Sequence, residues 1–278
     1  MTSGSDVEVP GQTRQMDAYL AEPDGPDQLR AGVIVVHEIF GLDDHIRDVC
    51  RRFADQGYVA LAPNLFTGAL AAVLTPANIP IALKALAEAP PGLRADPTKF
   101  RAFAESQPPE RRPILEAFVT ATQPATQEGY AYDLLEAAQY LRDRREVDPA
   151  RIGAVGFCFG GAMVGRLATV DPDLRAAVIF YGQNPPRDGI PHVHASVLGL
   201  YGAEDPGITS TVPDLARAME EHGKRFRSHV YPGAKHAFFN DRRPNYHAES
   251  AQDAWERVLR FFGEALAPSA AAEPADRR

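Results

Sequence analysis

The chain has 278 residues, 45% of them hydrophobic and 24% charged, the balance of an ordinary globular protein with one large α/β domain or two small ones. A net charge of −8 leaves no basic excess to neutralise phosphates, which argues against nucleic-acid binding as the main task. Two cysteines, Cys50 and Cys158, cannot make a disulfide framework, and neither a CxxC pair nor a Cys/His zinc spacing is present.

The first residues, MTSGSDVEVPGQ, are polar and lack the apolar core of a signal peptide. No apolar stretch approaches the ~18 residues of a membrane span. A reducing, cytoplasmic setting is therefore expected, with no membrane partner. Residues 1–5 and 267–278 read as flexible tails around a single domain, 6–266.

Gln15–Ala21 reads as a strand, followed by a turn at Asp24-Gly25-Pro26. Ala31–Val36 is a continuous β-branched run, the pattern of a strand buried on both faces. It leads into His37-Glu38-Ile39-Phe40-Gly41-Leu42. Asp43 or Asp44 can cap the next helix, in which Ile46, Val49, Cys50 and Phe53 fall at helical spacing. Gly57 ends that helix, and Tyr58–Ala62 is the next strand.

Residues 67–126 break this rhythm with many prolines. Between them lie short helix-forming pieces at Ile81–Ala89, Thr98–Ser106 and Glu110–Thr122. The stretch is expected to be a helical insertion that caps the sheet edge. Thr126–Arg145 then reads as a long amphipathic helix. A strand at Ile152–Phe157, a helix at Ala162–Thr169, strands at Ala176–Tyr181 and Ser196–Tyr201, a helix at Val212–His222, a strand at Arg227–Tyr231 and a helix at Glu249–Ala265 complete the chain. This alternation predicts an α/β fold, with a mostly parallel central sheet and helices on both faces.

Gly156-Phe157-Cys158-Phe159-Gly160-Gly161 has the spacing of a nucleophile elbow, with Cys in place of the usual Ser. A carboxylate, Asp205, follows the strand 196–201. A histidine, His236, follows the strand 227–231. Nucleophile, acid and His thus occur in the order required for hydrolysis on such a sheet. His236 is assigned as general base and acid, and Asp205 as the group that fixes its tautomer. The backbone N–H groups of Phe159 and Ile39 are assigned to the oxyanion hole. Glu38 falls on the same sheet edge. A carboxylate beside a thiol disfavours the thiolate, so Glu38 is expected to keep the resting thiol neutral until substrate arrives.

These stretches, together with Gly57-Tyr58-Val59-Ala60-Leu61-Ala62-Pro63, Tyr201-Gly202-Ala203-Glu204-Asp205 and His236-Ala237-Phe238-Phe239-Asn240, resemble the dienelactone hydrolase (carboxymethylenebutenolidase) family over residues 15–66 and 127–265. The resemblance implies an α/β-hydrolase fold, a triad of Cys158, His236 and Asp205, and a Glu at position 38 coupled to the thiol. It also marks departures. The family's diene-lactone enzymes hold the substrate carboxylate with two arginines. Here no Arg occurs between the Ala62–Phe66 stretch and Arg94, and Asn240 stands where the second would be. Arg242 is a weak substitute, and Tyr181 can line the pocket.

Cys50 reads as core. His37 reads as structural, while His247 and the stretch 242–245 read as an exposed loop. His192 and His194 lack a third ligand, so neither metal nor cofactor is expected. The expected activity is hydrolysis of a lactone or small activated ester through an acyl-enzyme on Cys158. A broad carboxylesterase or thioesterase is the alternative, and a redox-sensing thiol the distant one. The expected partner is the small-molecule ester or lactone, for a monomer or homodimer.

Overall fold

The structure is a computed structural model that describes residues 3–25, 28–89, 93 and 97–268. Eight strands form one sheet in the order β1-β2-β4-β3-β5-β6-β7-β8. They are β1 (Ser3–Pro10), β2 (Gln15–Glu22), β3 (Arg30–Val36), β4 (Val59–Pro63), β5 (Val147–Phe157), β6 (Ala176–Phe180), β7 (Ser196–Gly202) and β8 (Phe226–Tyr231). β1 pairs antiparallel with β2, and β2 antiparallel with β4. Every other pairing is parallel.

The interior strands are buried on both sides, as their unbroken apolar runs require. Successive residues of β3 enter opposite cores. Ile34 and Val36 face one side, Val33 and Val35 the other. The second side is covered by α1 (Asp44–Asp55) and α10 (Ala248–Ala265). The first is covered by α6 (Pro124–Arg142), α7 (Phe159–Val170) and α9 (Val212–Glu221). Asp43 caps α1, its carboxylate accepting the Ile46 N–H at 3.1 Å.

Between β4 and α6 the described residues form four helices: α2 (Gly68–Val73), α3 (Ile79–Ala87), α4 (Pro97–Ser106) and α5 (Arg112–Thr122). α5 packs against α2, α3, α4 and α6, so this segment joins the first core. A short helix, α8 (Pro206–Thr209), follows β7.

One sequence reading is corrected, and one element is added. Ser3–Ser5 are not part of a tail; they begin β1, with Ser3 opposite Glu22. The polar pattern of β1 hides it because most of its side chains are exposed on an edge strand. α2 had no prediction, since six residues are too few for a periodicity to show. Residues 1–2 and 269–278, read as tails, lie outside the described residues, as does Arg94. Among the described residues, no helix is long and apolar enough to cross a membrane.

Candidate active site

Parallel strands in an α/β sheet deliver their following loops to one edge, where ligands bind. Here Glu38 follows β3, Cys158 follows β5, Tyr181 follows β6, Asp205 follows β7 and His236 follows β8. Residues far apart in the chain therefore meet at a single edge.

Cys158 sits between β5 and α7 with φ 55° and ψ −113°, a strained backbone for a residue with a side chain. The turn closes only because its neighbours are glycine. A Cβ on Gly156 would lie 2.1 Å from the Gly160 carbonyl oxygen, and one on Gly160 would lie 2.3 Å from the Val36 carbonyl oxygen. Among the described non-glycine residues, positive φ occurs at Cys158, Tyr181 and Ala237, all at this edge.

The thiol Sγ lies 3.0 Å from His236 Nε2. His236 Nδ1 lies 2.6 Å from Asp205 Oδ2. An ionised carboxylate can only accept, so Nδ1 carries the proton and Nε2 is left facing the thiol. Burial opposes charging of the imidazole. The hydrogen bonds to Asp205 and Cys158 outweigh it and raise the His236 pKa to about 10, which makes Nε2 a strong acceptor for the proton it shares with the thiol. Phe159 opens α7, so its N–H has no partner within the helix, and the positive end of the helix faces the sulfur. Ile39, Phe159 and Tyr181 line the same cavity as Cys158 and His236.

Glu38 is buried, and burial raises its pKa against the opposing hydrogen bond from Asn240. Its carboxyl oxygens meet Asn240 and Tyr181, whereas the thiol meets His236. Burial, with Glu38 and Cys158 nearby, raises the Tyr181 pKa well above its ordinary value and keeps the phenol protonated. The Tyr181 ring lies 5.1 Å from that of His236.

Burial lowers the His37 pKa to about 4, so its ring is neutral. Its Nε2 accepts the Leu65 N–H at 3.0 Å, which leaves Nδ1–H to donate to the Glu38 carbonyl at 2.6 Å. His37 thus pins the loop that carries Glu38 and Ile39 to the loop after β4. Cys50 is buried in the core beside Val49 and Phe53.

The cavity at this edge has a volume of about 530 Å³. Leu83 from α3, with Phe118, Val119 and Thr122 from α5, lines it together with the elbow. Among the described residues that line it, His236 is the only one with a basic side chain. Arg242 is not brought to the site. Its side chain is exposed and faces Asp241 at 3.8 Å. Among the described residues, no cluster of three or more His, Cys, Asp or Glu could hold a metal ion.

Two residues escape sequence reasoning. Asn240 is fully buried and donates to Glu38. Arg243, expected in an exposed loop, is half-buried over the Phe40 ring and lies 4.0 Å from Asp43. A signal for Asn240 was present in its place within the histidine motif. Arg243 gave none, because its partners are some 200 residues away in the chain.

Known proteins share this arrangement of fold. A model of the dienelactone hydrolase family matches residues 16–266. The "Putative carboxymethylenebutenolidase" of Saccharolobus solfataricus is 39% identical over 246 residues, covering 88% of this chain and 92% of that protein. The protein of the same name from Escherichia coli K12 is 34% identical, covering 91% of this chain and 84% of its own. The crystal structure of a Klebsiella pneumoniae protein described as "Putative Dienelactone Hydrolase" superposes with a TM-score of 0.70 at 33% identity, over 95% of this chain and 99% of that one. The mostly parallel sheet, the elbow after its fifth strand and these likenesses across nearly the whole chain lead to one assignment: the protein is an α/β-hydrolase-fold member of the dienelactone hydrolase family.

Proposed function

We propose that this protein hydrolyses a lactone or small activated ester through an acyl-thioester on Cys158. The observation that carries the reading is the unbroken relay from Cys158 Sγ through His236 to Asp205, at 3.0 and 2.6 Å, with Cys158 and His236 lining the cavity.

In the first half-reaction His236 Nε2 takes the thiol proton and the sulfur attacks the carbonyl carbon. Asp205 holds the imidazole in the required tautomer and stabilises the imidazolium. The N–H groups of Phe159 and Ile39 receive the developing oxyanion. The tetrahedral adduct then expels the alcohol or enolate, which His236 protonates. In the second half-reaction water attacks the thioester with His236 as base, and the acid leaves with Cys158 regenerated.

Thiolate is itself a good leaving group, so the adduct collapses forward only when the substrate's own leaving group is good. Enol esters, aryl esters and thioesters meet that condition. The cavity's lining favours a neutral, apolar acyl group over an anionic one, because Leu83, Phe118 and Val119 face it and its described lining holds no arginine or lysine. This supports the broader carboxylesterase or thioesterase reading within the same chemistry.

A panel of p-nitrophenyl esters and neutral and anionic enol-lactones, run with wild type, Cys158→Ala and His236→Ala, tests the proposal. Intact-protein mass spectrometry is expected to trap an acyl adduct in the wild type and none in Cys158→Ala. Hydrolysis that survives in Cys158→Ala removes the mechanism.

A further inference from the structure

Glu38 is 2% exposed and lies on the same sheet edge as the thiol. A buried carboxyl needs partners for both oxygens, and two are present. Asn240 Nδ2 donates to Oε2 at 2.6 Å, and the Tyr181 hydroxyl bonds Oε1 at 3.4 Å. The Asn240 amide has no freedom to turn over. Its Oδ1 accepts the backbone N–H of Arg242 at 3.0 Å, so Nδ2 must face the carboxyl. Both tethers stand on constrained backbone. Tyr181 has φ 37°, and the turn from His236 to Asn240 passes through Ala237 at φ 64°. The thiol, meanwhile, has its hydrogen bond with His236.

We propose that Asn240 is a positioning residue: with Tyr181 it fastens the Glu38 carboxyl, so that Cys158 stands paired with His236 before any substrate arrives. This rests on the reading of Cys158 as nucleophile. It replaces a substrate-triggered thiol with one that is ready at rest. A carboxyl free to turn toward the sulfur would take up the thiol's proton in a hydrogen bond, or oppose the thiolate by like charge. With both oxygens engaged elsewhere it does neither. Asn is suited to this because a neutral amide donates to one side and accepts from the other, joining Glu38 to the turn that carries His236.

Alkylation of Cys158 by iodoacetamide, at neutral pH without substrate, reads the resting thiol and does not depend on turnover of any ester. Asn240→Asp keeps an oxygen for the Arg242 N–H, so the turn is preserved, but it sets an acceptor against Glu38. Alkylation is expected to slow about tenfold or more. The double variant Glu38→Gln/Asn240→Asp reverses the direction of that hydrogen bond and is expected to recover the wild-type rate. If Asn240→Asp folds poorly by circular dichroism, Asn240→Ser carries the same expectation, since serine can cap the turn but is too short to reach Glu38. A wild-type alkylation rate in either folded single variant overturns the proposal. So does a slowing that the double variant leaves unchanged. Failure of the hydrolase reading shows differently, as normal alkylation with no acyl adduct.

Discussion

The guanidinium of Arg243 lies 3.5 Å from the centre of the Phe40 ring. This contact joins the loop after His236 to the loop that supplies Ile39, and the Arg243–Asp43 pair at 4.0 Å extends it. A half-buried cation–π contact is worth about 1–2 kcal/mol. Arg243→Ala is expected to lower the unfolding free energy by roughly that amount, measured by urea denaturation. Arg243→Lys keeps the charge but loses the flat stacking surface, and most of the loss is expected to remain. Because the latch fixes Ile39 relative to His236, kcat should fall more than KM changes.

Asp205→Asn should leave the fold intact and lower kcat by roughly 10²–10⁴-fold, because the tautomer of His236 is then no longer fixed. The variant also changes stability with pH. The His236 pKa is raised from 6.5 to about 10 by its hydrogen bonds to Asp205 and Cys158, against the effect of burial. A raised pKa stabilises the fold fully below the unfolded value and ceases to do so above the folded one. The stability advantage of wild type over Asp205→Asn is therefore expected to be largest below pH 6.5 and to fade toward about pH 10. Thermal melts across that window check the sign.

Glu38→Gln should stabilise the protein at neutral pH. Burial raises the Glu38 pKa, so ionising this carboxyl works against the fold, and an amide of the same shape avoids that cost. The Gln side chain can accept from Asn240 and donate to Tyr181. A gain of about 1–2 kcal/mol is expected near neutrality. It should vanish in acid, where the wild-type carboxyl is protonated in both folded and unfolded states. Urea midpoints at the two pH values measure it, and a gain equal at both would contradict the assigned cause.

Val119 lines the cavity from α5. Val119→Phe fills part of the space without touching the Cys158–His236–Asp205 relay. Selectivity for acetyl over octanoyl p-nitrophenyl esters, read as the ratio of kcat/KM values, is expected to rise by about tenfold or more. An unchanged ratio would remove α5 from the acyl-binding wall.

The order of strands and helices was legible wherever an element is buried on both faces or long enough to show its period. β3 and α1 are examples, with their unbroken β-branched run and their spaced Ile46, Val49 and Phe53. β1 was missed because an exposed edge strand has a polar surface like that of a tail. In the site, each of Cys158, Asp205 and His236 stands just after a strand in its own local motif, and strand ends of a parallel sheet meet at one edge. Arg243 carries no such local mark, and Asn240, although it stands in the histidine motif, carries none that names its partner. Their partners, Phe40 and Glu38, come from a loop on the far side of the chain order, and only folding brings them together.

The sequence alone determined the elbow, the alternation of the sheet and the chain order of nucleophile, acid and histidine. These depend on local sterics and on hydrophobic period, which neighbouring residues suffice to set. Only the tertiary structure decided which group each polar atom meets. Glu38 lies on the same sheet edge as Cys158, as its position after β3 requires, yet its oxygens are engaged by Asn240 and Tyr181 while the thiol is engaged by His236. Several hydrogen-bond pairings are open to groups gathered on one edge, and long-range packing selects among them.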